Sequence, residues 1–229
     1  MPKLEWDKIG ERLYETGVDR GVLFVYDKSE KEYKTGVPWN GLIAVSENPT
    51  GAEPNPQYAD NIKYLNLMSA EEFEASIEAF MYPPEFAECD GSASPVDGLE
   101  VSQQNRSLFG FAYRTLMGSD AEGTDYGYKL HIIYGALATP TDKSYTTQSD
   151  SPEALTFNWD ITTTPVPVTR FKPTACVIIE SVDAEVDGLA ELEDILYGVD
   201  ADVENGIVAS DSRLPMPDEI LTIMATTQG

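Results

Sequence analysis

The chain has 229 residues, of which 40 are acidic and 15 basic, giving a formal charge of −25 with an ordinary 41% of hydrophobic residues. That length supports a sizeable core. The acids are spread from Glu5 to Glu219, which argues against a free-standing nucleic-acid binder, because affinity for phosphate comes from Lys and Arg that displace counterions. No run of 18 apolar residues occurs, and MPKLEWDKIGERLYE carries charge where a signal peptide needs its apolar centre, so the expectation is one domain over 1–229 that folds in a cytoplasm and engages no membrane.

From the N-terminus, residues 1–20 read as a polar arm, either a short helix or a docking segment, anchored by Leu4, Trp6, Ile9 and Leu13. Gly21–Tyr26 is a short apolar strand, and Val37–Ser46 a second one with a bulge at Gly41. Glu47–Asn61, ENPTGAEPNPQYADN, has three prolines and no periodicity. It reads as a protruding loop longer than the usual ~4–6 residues of a connection.

The chain is organised around Lys63–Gly91. At period two, Phe73, Ala75, Ile77, Ala79 and Met81 fall on one side, and Glu72, Glu74, Ser76, Glu78 and Phe80 on the other. A helix would scatter the same apolar positions around its cylinder, so this is a strand with one greasy and one acidic face, ended by Pro83 and Pro84. Asn61–Met68 is its expected partner or lead-in, and Phe86–Pro95 a turn or short helix.

Ser107–Met117 places Phe109, Phe111, Tyr113, Thr115 and Met117 on one face. The turn Gly118–Gly127 then feeds Tyr128–Ala138, and these two strands should pair. Leu155–Pro165 alternates Leu155, Phe157, Trp159 and Ile161 with Thr156, Asn158, Asp160 and Thr162, and Ala175–Ser181 is another strand. Period two then gives way to a helix over Asp187–Tyr197, capped by Asp187 and ended by Gly198, with Leu189, Leu192, Ile195 and Leu196 on one face. Residues 199–229 form a C-terminal extension with a short helix at Pro217–Met224. The fold class is mainly β, a β-sandwich or barrel-like domain with one flanking helix.

Little in the chain looks catalytic. His131, the single histidine, lies mid-strand without a nucleophile set; there is no phosphate-cradling loop, HExxH or CxxC, and Cys89 and Cys176 read as buried free thiols. Glu85 with Glu88, or Asp120 with Glu122 and Asp125, are the carboxylate groupings a glycosidase or a weak calcium loop would need, but forty acids make chance groupings inevitable. No catalytic residue, metal ligand or cofactor site is assigned. The expectation is a protein that is not an enzyme.

Several blocks resemble the major tail proteins, or tail tube proteins, of long-tailed bacteriophages of Gram-positive hosts. They are VPWNGLIAVSENPTGAEP, QYADNIKYLNLMSAEEFEASIEAFMYPPEFAECDGS, FGFAYRTLMGSDAEGTDYGYKLHIIYGALA, and SPEALTFNWDITTTPV with the helix containing LEDILYG, in order over roughly residues 1–198; RLPMPDEI resembles the group's short terminal motif. The resemblance implies a virion structural protein, assembled in the host cytoplasm, whose hexameric rings stack into a tube that conducts DNA out of the capsid without binding it specifically. The partners it implies are further copies of the chain and the tail terminator, distal tail and tape measure proteins.

On that reading the lumen is lined either by Glu72, Glu74 and Glu78 or by the face of Thr156, Asn158, Asp160 and Thr162, although both faces could equally look outward. The inter-ring contact falls to the loop of Glu47, Asn48, Pro49, Glu53, Pro54, Pro56 and Tyr58. Two rivals rest on charge and aromatics: a monomeric acidic adhesion module using Trp39, Trp159 and Tyr134, and a DNA-mimic inhibitor.

Overall fold

The computed structural model describes residues 3–147, 150, 153–201 and 208–226, and over them the chain is mainly β. Its first strand, β1 (Leu13–Asp27), runs well beyond the Gly21–Tyr26 segment that composition marks out. Bulges between Thr16 and Val18 and between Asp19 and Val22, with Gly17 and Arg20 at positive φ, interrupt the alternation and make its first half look like a leader. Only the residues before Leu13 form an arm, and those described are neither helix nor strand.

The expected Val37–Ser46 strand is two strands, β3 (Val37–Trp39) and β4 (Leu42–Glu47), which follow the short β2 (Glu32–Tyr33). Gly41 sits in a turn at φ 79° and is not a bulge. The proline-bearing segment is not an irregular loop either. It holds β5 (Thr50–Gly51) and β6 (Pro54–Ala59), and β7 (Ile62–Met68) and β8 (Glu71–Glu72) return antiparallel to them. The organising strand is β9 (Glu74–Ala79), with Ala75, Ile77 and Ala79 buried as the alternation predicts.

After a 3-10 turn at Pro84–Phe86 and α1 (Ala87–Asp90) comes a small hairpin of β10 (Ala93–Val96) and β11 (Leu99–Val101). Then follow the expected pair β12 (Phe109–Ser119) and β13 (Gly123–Ala138), β14 (Phe157–Thr163), β15 (Cys176–Glu180), α2 (Val186–Tyr197) and α3 (Pro217–Thr226). Glu185, not Asp187, caps α2: its carboxylate accepts from the Gly188 N–H at 2.8 Å, and Gly198 at φ 77° ends the helix. Of the C-terminal extension, residues 202–207 and 227–229 lie outside the described residues.

The strands order as β2-β1-β12-β13-β14-β9-β4, with β3 added to β1 and β15 to β13, and the pairings are antiparallel. β4, at the end of this order, comes back to lie against β1, so the sheet curls around a first core. That core gathers Leu23, Val25, Trp39, Ile77, Phe86, Phe109, Phe111, Tyr113, Ile133, Trp159 and Ile161. The other face of β1, β12, β13 and β15 carries Val22, Phe24, Leu130, Ile132, Tyr134 and Ile179, which are covered by Leu189, Leu192 and Leu196 of α2 and Ile220 of α3. Two helices therefore flank the sheet: the one expected to do so and the short C-terminal helix, which the sequence placed in the extension.

β12 and β13 are buried on both faces, which explains why they read as nearly continuous apolar runs. β9, whose outer face is half-buried, and β14, whose outer face is mostly exposed, alternate cleanly.

Candidate assembly surfaces

The two polar strand faces that the sequence offers as alternatives are one surface. β14 pairs with β9 so that Asn158 lies opposite Glu78, Asp160 opposite Ser76 and Thr162 opposite Glu74, while Trp159 and Ile161 lie opposite Ile77 and Ala75 on the core side. Period two forces this outcome, because once the apolar faces of two adjacent strands share a core their polar faces share the other side. β4 extends the surface with Ser46 opposite Ser76 and Ala44 opposite Glu78. No ion pair among the described residues engages Glu74, Glu78 or Asp160. Glu72 does not belong here: it sits on β8 opposite Thr50.

The second surface is an arm. β4 and β9 form the base of one long hairpin that continues outward through β5 with β8 and then β6 with β7. Asp60 and Asn61 turn its tip, both with positive φ (50° and 63°), between the paired Ala59 and Ile62. Such a type I′ turn matches the right-handed strand twist, and Asp and Asn tolerate it. Its neck bends at Gly51, φ 77°, where a side-chain carbon would come within 2.2 Å of the Ala70 carbonyl oxygen.

Every residue of β6 and β7 is exposed, including Tyr58, Ile62, Tyr64, Leu65, Leu67 and Met68. From Asn48 to the tip the ribbon reaches at most about 40 Å at ~3.3 Å per residue. Pro54 and Pro56 lie two apart, so both nitrogens point to the outer edge, where no N–H is needed, and they close that edge to further pairing. Of the residues expected in this contact, Pro54, Pro56 and Tyr58 lie on the ribbon. Asn48, Pro49 and Glu53 form its neck, with the Asn48 N–H donating to the Glu74 carbonyl at 2.7 Å and the Glu53 N–H to Ser69 Oγ at 3.2 Å.

Glu47 does not belong to the arm's surface. As the last residue of β4 it pairs with core-facing Ala75, and its carboxylate, still 31% exposed, bends over the rim of the core. The Tyr113 hydroxyl donates to Glu47 Oε1 at 2.6 Å, and His131 Nδ1 lies 3.0 Å from the same oxygen. His131 Nε2 is 3.1 Å from Thr115 Oγ1, and the imidazole stacks on the Tyr113 ring at 4.6 Å and 10°. The hydrogen bond from His131 holds the Glu47 carboxyl below its ordinary pKa, against the opposing effect of burial, and Tyr113 adds to the lowering. Burial raises the Tyr113 hydroxyl and pushes the nearby Cys176 thiol up to about 12. Sequence reasoning sees a lone histidine and a loop-edge glutamate, because the partners lie 66 and 84 residues apart.

Other apolar side chains also stand in solvent away from the main sheet. Leu4, Trp6 and Ile9 do so on the N-terminal arm, and Val96, Leu99 and Val101 on the β10–β11 hairpin. The N-terminal arm is tied down where the Asp120 carboxylate accepts the Gly10 and Arg12 N–H groups at 3.0 and 3.2 Å, which draws Asp120 away from any calcium loop with Glu122 and Asp125. Glu85 and Glu88 stand exposed around α1, and Lys34 pairs with Glu88 at 3.4 Å. Among the described residues no group of His, Cys, Asp and Glu is placed to hold a metal ion. Cys89 and Cys176 are free thiols. Trp39, Trp159 and Tyr134, the aromatics an adhesion module would present, are all buried.

No family model matches the chain, and no curated protein matches it. Among solved structures it is similar to a chain of the PVC sheath–tube complex of an extracellular contractile injection system in its extended state, at 12% identity and a TM-score of 0.30, covering 70% of this chain and 88% of that one.

Proposed function

We propose that the protein is a structural subunit that assembles with copies of itself into stacked rings forming a phage tail tube, and that it is not an enzyme. The observation that carries this reading is the placement of its exposed apolar residues. Half of them, 12 of 24 among the described residues, stand on three segments that leave the main sheet: the N-terminal arm, the β6–β7 ribbon, which alone bears six, and the β10–β11 hairpin. A monomer has no use for a fully solvated ribbon bearing Tyr58, Ile62, Tyr64, Leu67 and Met68, whereas a subunit that reaches into its neighbour does.

The acid-bearing face of β9 and β14 fits the inner wall of such a tube. Three carboxylates that no cation among the described residues pairs would repel duplex DNA, whose phosphates place one charge per ~1.7 Å of axis. Screening confines that repulsion to about 8 Å in physiological salt, so it acts only on DNA close to the wall. Hexameric rings, DNA conduction and the terminator, distal tail and tape measure proteins as partners follow from the sequence resemblance.

The test is light scattering on size-exclusion fractions of the full chain and of a variant in which a two-residue Asn-Gly turn replaces Pro54–Met68. The full chain should give species well above the 25.2 kDa of one copy, increasing with concentration, and the variant should remain a folded monomer. A full chain that stays monomeric at every concentration, or a variant that assembles as well as the full chain, would overturn the proposal.

A further inference from the structure

Glu47 is chemically out of place. It occupies an inward position on β4, next to Val45 and opposite Ala75, where the rest of the strand face packs the first core. β4 is also the last strand of the sheet order and is separated from β13 by β9 and β14. The contacts from Glu47 to Tyr113 on β12 and His131 on β13 therefore run across the half-buried rim of the core and join strands that share no ladder. They do so one residue before Asn48, where the arm's neck begins.

We propose that the Glu47, Tyr113, His131 and Thr115 side chains form a latch that fixes the root of the arm against the core and so sets the direction in which the arm projects. Glu47 is a positioning residue for assembly, and this inference rests on the assembly reading above. Along the neck the backbone is paired from Asn48 with Glu74, through the two-residue β5–β8 ladder, to Ala52 with Ala70 and Glu53 with Ser69, the last at 3.5 Å. That ribbon is only two strands wide and passes through Gly51 at φ 77°, so its own pairing holds it together while the side-chain anchor at its root ties it to β12 and β13.

The latch holds in either state of the histidine. With Nδ1–H donating to Glu47, a neutral ring accepts the Thr115 hydroxyl at Nε2, and a protonated ring donates to the same oxygen, because a hydroxyl serves as donor or acceptor. The neighbouring ionisable groups leave it undisturbed. Tyr113 and Cys176 are kept protonated by burial, and Lys129, further along β13, is engaged by Glu15 and faces Glu180 on β15. The group whose ionisation the latch needs is the Glu47 carboxylate.

The experiment compares Glu47→Gln and Tyr113→Phe with the full-length wild type. Tyr113→Phe keeps the ring and its stacking and removes only the donor, so it stands in should Glu47→Gln fail to fold. Two quantities are measured: amide hydrogen exchange across residues 48–72 of the unassembled protein, with β12 and β13 as internal reference, and the critical concentration for assembly. The expected result is exchange in 48–72 accelerated about tenfold, the size of losing one hydrogen bond to a charged group, with the β12 and β13 amides unchanged and the critical concentration raised.

Unchanged exchange in 48–72, or acceleration that includes β12 and β13 equally, would overturn the latch. The exchange measurement does not depend on polymer forming. A wild type that never assembles would thus count against the assembly reading while the latch is still judged on exchange.

Discussion

Ile77 shows what one residue contributes to the core. It is fully buried at the centre of β9, opposite Trp159 of β14, in a cluster with Trp39 and Phe86. Ile77→Ala should destabilise the fold by about 2–5 kcal/mol, the loss of transfer energy plus the cavity left behind, measured by urea denaturation. Gly51→Ala should behave in the opposite way. The added carbon meets the Ala70 carbonyl and the φ is unfavourable, but the site lies outside the core, so the urea midpoint should hold within experimental error while exchange in the arm rises.

Glu47 gives a pH signature. Its pKa is lowered in the fold, so its contribution to stability is complete above the ordinary glutamate value and is lost as pH falls through the lowered one. The stability gap between wild type and Glu47→Gln should accordingly be constant near neutrality and close in acid. A gap that closes between pH 8 and pH 6 would contradict the assignment. Single residues were legible in the sequence where alternation was clean, as at Ile77 and Trp159. Glu47 was not, because its partners are brought to it only by the curl of the sheet.

At the scale of elements, legibility followed what each strand faces. β9 and β14 each bury only one side fully and are readable at period two, and β12 and β13 are readable as apolar runs around a turn. β1 is hidden by its own bulges, and the arm by its prolines, which belong to an open edge. The β10–β11 hairpin carried a legible signal in Asp97–Gly98 between the paired Val96 and Leu99, but the short flanking strands gave it no periodicity to support. Which strands are neighbours was legible for β12 and β13, joined by one turn, but not for β9: Asn61–Met68, read as its partner or lead-in, leads into it while pairing with β6, and β9 lies between β14 and β4.

The arm's construction also decides which deletion is informative. Removing Pro49–Gln57 alone would strip β6 from β7 and leave an unpaired apolar strand, which invites aggregation. Replacing Pro54–Met68 as a unit removes both strands. That variant should keep the wild-type thermal midpoint, since no residue of the ribbon is buried, and its far-UV circular dichroism should lose only the contribution of the two strands removed.

For the whole molecule, a chain of net charge −25 that associates with itself must bring like charges together. The segments proposed to make contact are the apolar ones, and the ribbon from Pro54 to Met68 carries only Asp60 and Lys63 as charges. Assembly should therefore strengthen with ionic strength. Raising salt from 10 mM to 150 mM shortens the screening length from about 30 Å to about 8 Å, and the critical concentration measured by sedimentation should fall over that range. A critical concentration that rises with salt would mean that ion pairs between copies dominate.

The central claim, that this chain tiles with itself around a hollow bore, is tested most directly by negative-stain electron microscopy of the purified full-length protein at physiological salt. The account predicts rings, or tubes of stacked rings, with a central channel. Fields of separate particles of the 25.2 kDa subunit, unchanged at the highest soluble concentration, would contradict it.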